Sequence, residues 1–283
     1  MGLLEIRNIC KSYKNFKLDH VSFNIEKGRI VGFIGRNGAG KTTTLKGIYN
    51  LIHLDEGEIL YEGKSIFDDE LRFKSEIGLL FGEVEYYPNS TIKNLTSVTK
   101  TFYPNWEEDT YQKYLKIFNL DEKKKIKELS SGMKVKYGLS IALSHGAKIL
   151  ILDEPTSGVD PVSRDELLDI FMDLVNDGEH SILFSTHVIS DLEKCADDIV
   201  YIKNGQILGA TTVANFEKGY AHVSSTKEDI DKSLFGKCIY YKDRLGKFEG
   251  VINKEDEKLF SDEIFEKRKA TLEEIMVALE RGE

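Results

Sequence analysis

Residues 35–42, Gly-Arg-Asn-Gly-Ala-Gly-Lys-Thr, fit the spacing G-x-x-x-x-G-K-[ST]. This pattern suits phosphate binding for a physical reason. Glycines let the backbone amides turn toward anionic oxygens, and a helix beginning at the same place adds the positive end of its dipole. Lys41 is expected to reach β and γ phosphates, and Thr42 to offer its hydroxyl to Mg²⁺. Thr43 is placed to donate to a phosphate further back. A glycine-rich turn with a chance lysine has the same letters. The apolar run before this loop and the helical spacing after it decide against that simpler reading.

A second group of candidates is acidic. The run Ile149-Leu-Ile-Leu-Asp153-Glu154 sets two carboxylates at the end of an apolar segment, the edge at which open parallel sheets bind ligands. Asp153 is suited to the Mg²⁺ shell and Glu154, one residue on, to polarising an attacking water. His187 ends another apolar run, Leu183-Phe-Ser-Thr-His187, and is a candidate γ-phosphate contact. Each has a bland alternative, strand termination for the acids and a structural role for the histidine. The upstream phosphate loop favours the chemical reading.

These side chains need a scaffold. Residues 30–34 (Ile-Val-Gly-Phe-Ile) read as a strand, and Leu45, Ile48 and Ile52 have helical spacing after the loop. Residues 148–152, 181–185 and 198–202 are further continuous apolar runs separated by helical stretches, the pattern of a parallel sheet buried on both faces. An α/β core is expected over 1–212, with a mostly helical insertion at about 90–145. Asn204-Gly205 reads as a hairpin turn. From 213 to 283 short alternating runs and a closing helix read as a small α+β extension with no recognisable chemical motif, for which a packing module that stabilises the dimer or the fold is favoured over a regulatory ligand site.

Bulk properties narrow the class. The 283 residues, 41% hydrophobic and 31% charged, can bury a real core. The net charge of -9 argues against a phosphate-neutralising nucleic-acid face. Three cysteines, Cys10, Cys195 and Cys238, are odd in number and widely spaced, which fits a reducing compartment. No apolar run approaches the ~20 residues of a membrane span, and Ile6 stands where a myristoylation signal after Gly2 needs Ser or Thr. The expected location is the cytoplasm, with any membrane role borrowed from a partner.

Residues 129–134, Leu-Ser-Ser-Gly-Met-Lys, open an amphipathic helix with hydroxyls and bare amides. A serine N-cap alone accounts for Ser130, but not for the order in which the motifs occur. Taken in sequence, Tyr13, the loop at 35–43, LSSGMK, LILDEPTSGVD and STH resemble the ATP-binding subunit of ABC transporters over about residues 1–212. The resemblance implies a P-loop NTPase fold with a helical signature subdomain. Tyr13 resembles the aromatic that stacks on adenine. Gly35, Arg36, Asn37, Gly38, Ala39, Gly40, Lys41, Thr42 and Thr43 resemble the Walker A loop. Asp153 and Glu154 resemble the Walker B acid and the catalytic base, His187 the switch histidine, and Asp160 the D-loop aspartate at a dimer seam. Ser130, Ser131 and Gly132 resemble the signature that touches the γ-phosphate held by a second subunit. The implied ligands are ATP and Mg²⁺. The implied partners are a second ATP-binding subunit, identical or paralogous, and an integral-membrane permease that holds the chain at the cytoplasmic face of the membrane. The style of 102–109 and of the segment after LSSGMK is similar to bacterial exporter subunits, including those linked to antimicrobial or amphipathic peptides.

Two departures stand out. Ser131 and Met133 replace a glycine and a glutamine of the usual signature. Gly82-Glu83 stands where the family carries a glutamine near Mg²⁺, which makes Glu83 the candidate replacement and a candidate coupling residue. The surface around 82–110 is where a permease helix would dock, although Tyr86, Tyr87, Phe102, Tyr103 and Trp106 can equally be core aromatics. Asn253-Lys-Glu-Asp256 and Asp243-Arg-Leu-Gly246 imitate guanine-reading motifs, but they lie too far along the chain, and too close together, to surround the nucleotide of this loop. A soluble ABC protein acting on ribosomes or DNA is the remaining alternative. Such proteins normally carry two cassettes, or coiled-coil or zinc insertions, and this sequence shows none of these.

Overall fold

The computed structural model describes residues 2–81, 87–227, 230–244 and 246–282. The chain divides into two compact units, Met1–Ala210 and Thr211–Glu283. Among the described residues no helix is long and apolar enough to cross a membrane.

The first unit opens with β1 (Leu4–Tyr13) and β2 (Phe16–Ile25), an antiparallel pair, followed by β3 (Ile30–Ile34) and helix α1 (Lys41–Ile48). Next come β4 (Glu56–Tyr61), β5 (Lys64–Ser65), α2 (Glu70–Ser75) and β6 (Ile77–Phe81). Three helices succeed them, α3 (Ile92–Thr99), α4 (Glu108–Ile117) and α5 (Ser131–Ser144). The unit continues through β7 (Ile149–Asp153), α6 (Pro161–Val175), β8 (Ser181–Thr186), α7 (Ile189–Cys195), β9 (Asp198–Lys203) and β10 (Gln206–Thr212).

Two sheets result. One is four-stranded, in the order β2-β1-β4-β5; the other is six-stranded, β10-β9-β3-β8-β7-β6, with β9, β3, β8, β7 and β6 parallel. Every residue of β3, β7 and β8 is buried, as their unbroken apolar character requires of strands covered on both faces. The antiparallel sheet is not announced by the sequence pattern, because register shifts in β1 interrupt the alternation of burial that marks a half-buried strand. Its Leu4, Ile6, Leu18 and Val21 share one core with Val31 and Phe33 of β3, Leu45 and Ile48 of α1, and Ile149 and Ile151 of β7. The phosphate-loop helix is thereby packed into the main core.

The helical part has a polar centre. Thr96 of α3 bonds through Oγ1 to the hydroxyls of Tyr111 in α4 and Tyr137 in α5, each at 2.9 Å, and all three residues are buried. Three helices thus meet on one satisfied hydroxyl cluster. Burial pushes the Tyr137 phenol up to about 12. The aromatic group foreseen for packing or docking divides. Tyr103 stacks on buried His145 at 4.0 Å, and Trp106 packs on Tyr111 at 5.3 Å. Phe102 and Tyr87 are exposed, and Tyr86 lies outside the described residues.

The second unit contains α8 (Val213–Lys218), β11 (Tyr220–Ser225), β12 (Cys238–Arg244), β13 (Lys247–Asn253), β14 (Glu266–Lys269) and α9 (Leu272–Arg281). Its strands form an antiparallel sheet in the order β12-β13-β11-β14, over a core that includes Phe248, Phe260 and Phe265. Thr271 caps α9 reciprocally with Glu274, the capping-box arrangement. The guanine-like Asn253-Lys254 pair closes β13 and enters a short 3₁₀ turn, where Lys254 is ion-paired to Glu257 at 2.7 Å.

The expected hairpin turn joins β9 to β10, and both of its residues, Asn204 and Gly205, have positive φ. Gly205 also makes backbone bonds to Ala39 in the phosphate loop and to Asp19 in β2. A Cβ at Gly205 would lie 1.8 Å from the Lys17 carbonyl oxygen. Gly205→Ala is therefore expected to destabilise the first unit by at least about 3 kcal/mol, from combined backbone strain and overlap. A shift of the urea midpoint of that unit measures it, and a change under about 0.5 kcal/mol, the range of neutral surface substitutions, would contradict this account.

Candidate functional site

The site lies at the carboxyl ends of β3, β7 and β8, and strand register explains why. Phe33 pairs with Ser185, Ser185 with Asp153, and Asp153 with Phe81, so these residues form one row across the sheet. Whatever follows β3, β7 and β8 therefore emerges at the same edge. After β3 the chain turns through Gly38 and Gly40, at φ 82° and 117°, and enters α1 at Lys41. A side chain on Gly40 would also run into Leu18 and Phe16 of β2, so glycine is required there twice over.

Lys41 is almost fully buried. Its Nζ donates to the Gly35 carbonyl at 2.7 Å and pairs with Glu154 Oε1 at 3.2 Å. Thr42 Oγ1 donates to Asp153 Oδ2 at 2.7 Å, and Ser185 Oγ donates to Asp153 Oδ1 at 2.6 Å. Ser185 in turn accepts the Glu154 amide at 2.9 Å. Glu154 sits at φ 50°, a left-handed conformation that turns the chain sharply as it leaves β7. His187 Nδ1 lies 2.7 Å from Glu154 Oε2, so the carboxylate is held between an ammonium and an imidazole. A cleft of about 540 Å³ opens here, bounded by the phosphate loop, Glu154, Ser157 and His187.

The carboxylate of Asp153 and the hydroxyl of Thr42 form an all-oxygen donor pair, the kind that suits hard Mg²⁺. Arg36, Asn37, Gly38 and Thr43 also line the cleft. Its lining also includes Asn15 and Phe16, from the hairpin between β1 and β2. Tyr13 is on the same hairpin, half exposed, with the Lys11 ammonium 5.8 Å from its ring centre. Glu83 lies outside the described residues.

The other candidates stand apart from this cleft. Ser130 is the N-cap of α5, its Oγ accepting the Met133 amide at 3.2 Å. None of Ser130, Ser131 and Gly132 is among the described residues that line the cleft. The start of α5 faces the loop before α6 instead. A Cβ on Gly132 would meet Val159 at 3.4 Å and Ser163 at 3.6 Å, ordinary contact distances. Asp160 is the N-cap of α6, accepting the Ser163 amide at 3.0 Å, with Pro161 in the first helical turn. That amide bond holds its carboxyl below the usual range.

Two further residues of this region, Ser185 and Asp191, make contacts that no local sequence pattern announces. Ser185 reads as one more small residue of a buried strand, yet its hydroxyl joins Asp153 to Glu154. Asp191, on α7, is 1% exposed. Its Oδ2 accepts from Thr156 at 2.7 Å and from Thr186 at 3.4 Å, and its carboxylate pairs with Arg164 Nε at 2.8 Å. One carboxylate therefore ties the segments that carry Glu154, Asp160 and His187. The available signal was an acid within a short helix directly after Ser-Thr-His, whose partners are far away in sequence.

Comparison with known proteins agrees with this geometry. The ABC transporter family pattern matches residues 18–157. The ABC transporter ATP-binding protein YtrB of Bacillus subtilis is 28% identical over 285 residues, covering 98% of this chain and 97% of that protein. The lantibiotic transport ATP-binding protein SrtF of Streptococcus pyogenes is 37% identical over 210 residues, 73% of this chain and 89% of that protein. The bacitracin transport ATP-binding protein BcrA of Bacillus licheniformis is 31% identical over 209 residues, 73% of this chain and 68% of that protein. A solved ATP-binding subunit of an ABC transporter superimposes with a TM-score of 0.68 at 26% identity, covering 77% of this chain and 92% of that chain. A nucleotide-free ATP-binding cassette gives a TM-score of 0.66, also at 26% identity, covering 76% and 94%. With its glycine-rich loop, the Asp153–Glu154 pair and His187 gathered at one sheet edge, the chain belongs to the ATP-binding proteins of ABC transporters, a P-loop ATPase family.

Proposed function

We propose that this chain hydrolyses ATP at a seam between two cassettes and drives export through a separate membrane subunit at the cytoplasmic face, with amphipathic or antimicrobial peptides as cargo. The observation that carries the catalytic part is the convergence of Lys41, Thr42, Asp153, Glu154 and His187 on one cleft. The peptide cargo rests on the similarity to the lantibiotic and bacitracin transport proteins.

Thr42 and Asp153 would hold Mg²⁺, which would supply charge neutralisation for the phosphates. Lys41 and the loop amides bind the phosphate oxygens. An incoming phosphate gives the Lys41 ammonium an anionic partner in place of the Gly35 carbonyl. Glu154, oriented by the His187 Nδ1–H, accepts a proton from the attacking water. His187 Nε2 is the ring nitrogen left for a γ-phosphate oxygen, and it donates there when the ring is doubly protonated. Ser130 and the first amides of α5 form a helix N-terminus of a kind that binds anions. Since these residues do not line their own chain's cleft, we assign them to the γ-phosphate of a second cassette, with Asp160 beside the seam.

Glu154→Gln keeps the shape of the base and removes its proton acceptance. Light scattering is expected to show this variant shifting from monomer to dimer on Mg-ATP, and Ser130→Arg added to it is expected to abolish the shift. A variant that binds ATP yet stays monomeric would remove the homodimer and leave a paralogous cassette as partner. Asp191→Asn keeps the shape but removes the charge facing Arg164 and both threonines. It is expected to lower kcat about 10- to 100-fold, because small displacements of reacting groups are costly, while KM for ATP stays within about twofold. A KM effect of the same size as the kcat effect would assign Asp191 to nucleotide binding instead.

A further inference from the structure

Away from the cleft, three side chains from adjacent strands of the antiparallel sheet bring metal-binding atoms together. Cys10 Sγ, a ring nitrogen of His20 and a carboxylate oxygen of Glu56 all lie within 4.8 Å of one another. We propose that they form a binding site for a borderline-soft divalent cation of the Zn²⁺ class, with solvent in the fourth position. Nothing in the ATPase chemistry above uses these residues.

The backbone is shaped to bring them together. Cys10 is paired directly with Glu56 across β1 and β4, and the register of β1 shifts between Arg7 and Cys10 on that side. On the other side the register shifts again, between Ile9 and Lys11 against β2. His20 falls between the paired positions Leu18 and Val21, opposite this irregularity, and has φ 52°. Bulges of this kind re-aim side chains. Here they bring one thiol, one imidazole and one carboxylate from three strands to a common point. The thiol-bearing residue is 4% exposed, while His20 and Glu56 are exposed to solvent.

The second layer of contacts matches a metal site. The His20 amide donates to Cys10 Sγ at 3.3 Å, an N–H···S bond that stabilises a thiolate. Asp19 Oδ1 lies 3.0 Å from His20 Nδ1. A carboxylate on one ring nitrogen fixes the tautomer and leaves the Nε2 lone pair for a metal, the carboxylate–histidine arrangement. Asp19 is itself held by Gln206 at 2.8 Å and by Lys17 at 2.6 Å. Thiolate, imidazole and carboxylate plus water is a tetrahedral donor set that selects Zn²⁺ over Mg²⁺, which takes oxygen ligands in an octahedron. Binding releases the thiol proton to solvent and involves no redox change. The bound ion would clamp β1, β2 and β4 just before the hairpin whose Asn15 and Phe16 bound the cleft.

The test uses the full chain, stripped with a chelator and free of nucleotide, titrated with Co²⁺ as a spectroscopic probe. The expected result is a thiolate-to-cobalt charge-transfer band saturating at one equivalent, abolished in Cys10→Ser and reversed by Zn²⁺. Because Cys10 is buried, His20→Gln and Glu56→Gln serve as second variants at exposed positions, and each is expected to weaken Co²⁺ binding at least about tenfold. Asp19→Asn is expected to weaken it about 10- to 100-fold, the range for partners of a ligating histidine. Absence of the band in the wild-type chain, its survival in Cys10→Ser, or unchanged affinity in both His20→Gln and Glu56→Gln would each overturn the proposal.

Discussion

The bond from Thr42 Oγ1 to Asp153 Oδ2, at 2.7 Å, is the contact on which the cassette turns. It joins the first turn of the phosphate-loop helix to the end of β7, two strands away from β3 in the sheet. The strand between them, β8, supplies Ser185, which donates to the other oxygen of the same carboxylate. Both oxygens of Asp153 are thus engaged by hydroxyls, and the residue is 8% exposed. A carboxylate held this way has few alternative positions, so the group suited to the metal and the loop suited to the phosphates share one reference point.

Around that point the structure uses burial and charge differently on its two sides. Toward the cleft, Glu154 is partly exposed and bracketed by Lys41 and His187, contacts that an incoming anion can exchange. Behind it, Asp191 is enclosed and satisfied by two hydroxyls and a guanidinium. Breaking a buried ion pair by removing one partner is costly, by about 3–5 kcal/mol, so such a junction behaves as a rigid joint. The exchangeable contacts lie where chemistry needs change. The rigid one lies where the loops after β7 and β8 must keep their spacing.

The antiparallel sheet has a comparable double role. Its inner face completes the core around α1, and its hairpin bounds the cleft at Asn15 and Phe16. Irregular register in β1 prevents this sheet from being a plain cover. It places Cys10, His20 and Glu56 together on the strands that lead to the hairpin. The same irregularity hid the sheet from pattern reading, since a register shift breaks the alternation that identifies a half-buried strand.

The sequence by itself determined the parallel core and the identity of the phosphate loop. Continuous apolar runs at 30–34, 149–152 and 181–185 can only be covered on both faces, and a G-x-x-x-x-G-K-T loop between strand and helix has few uses. The helices between residues 92 and 144 and the Asn204-Gly205 turn were legible for the same reason, because local periodicity and turn chemistry act over a few residues. Only the tertiary structure decided which side chains meet. Ser185 reaching Asp153, Thr156 and Arg164 meeting on Asp191, the hydroxyl cluster at Thr96, and the approach of Cys10 to Glu56 all join residues 15 to 46 positions apart. Such contacts depend on strand order and register, which propensity does not encode, because they are set by how whole sheets bury their apolar faces together.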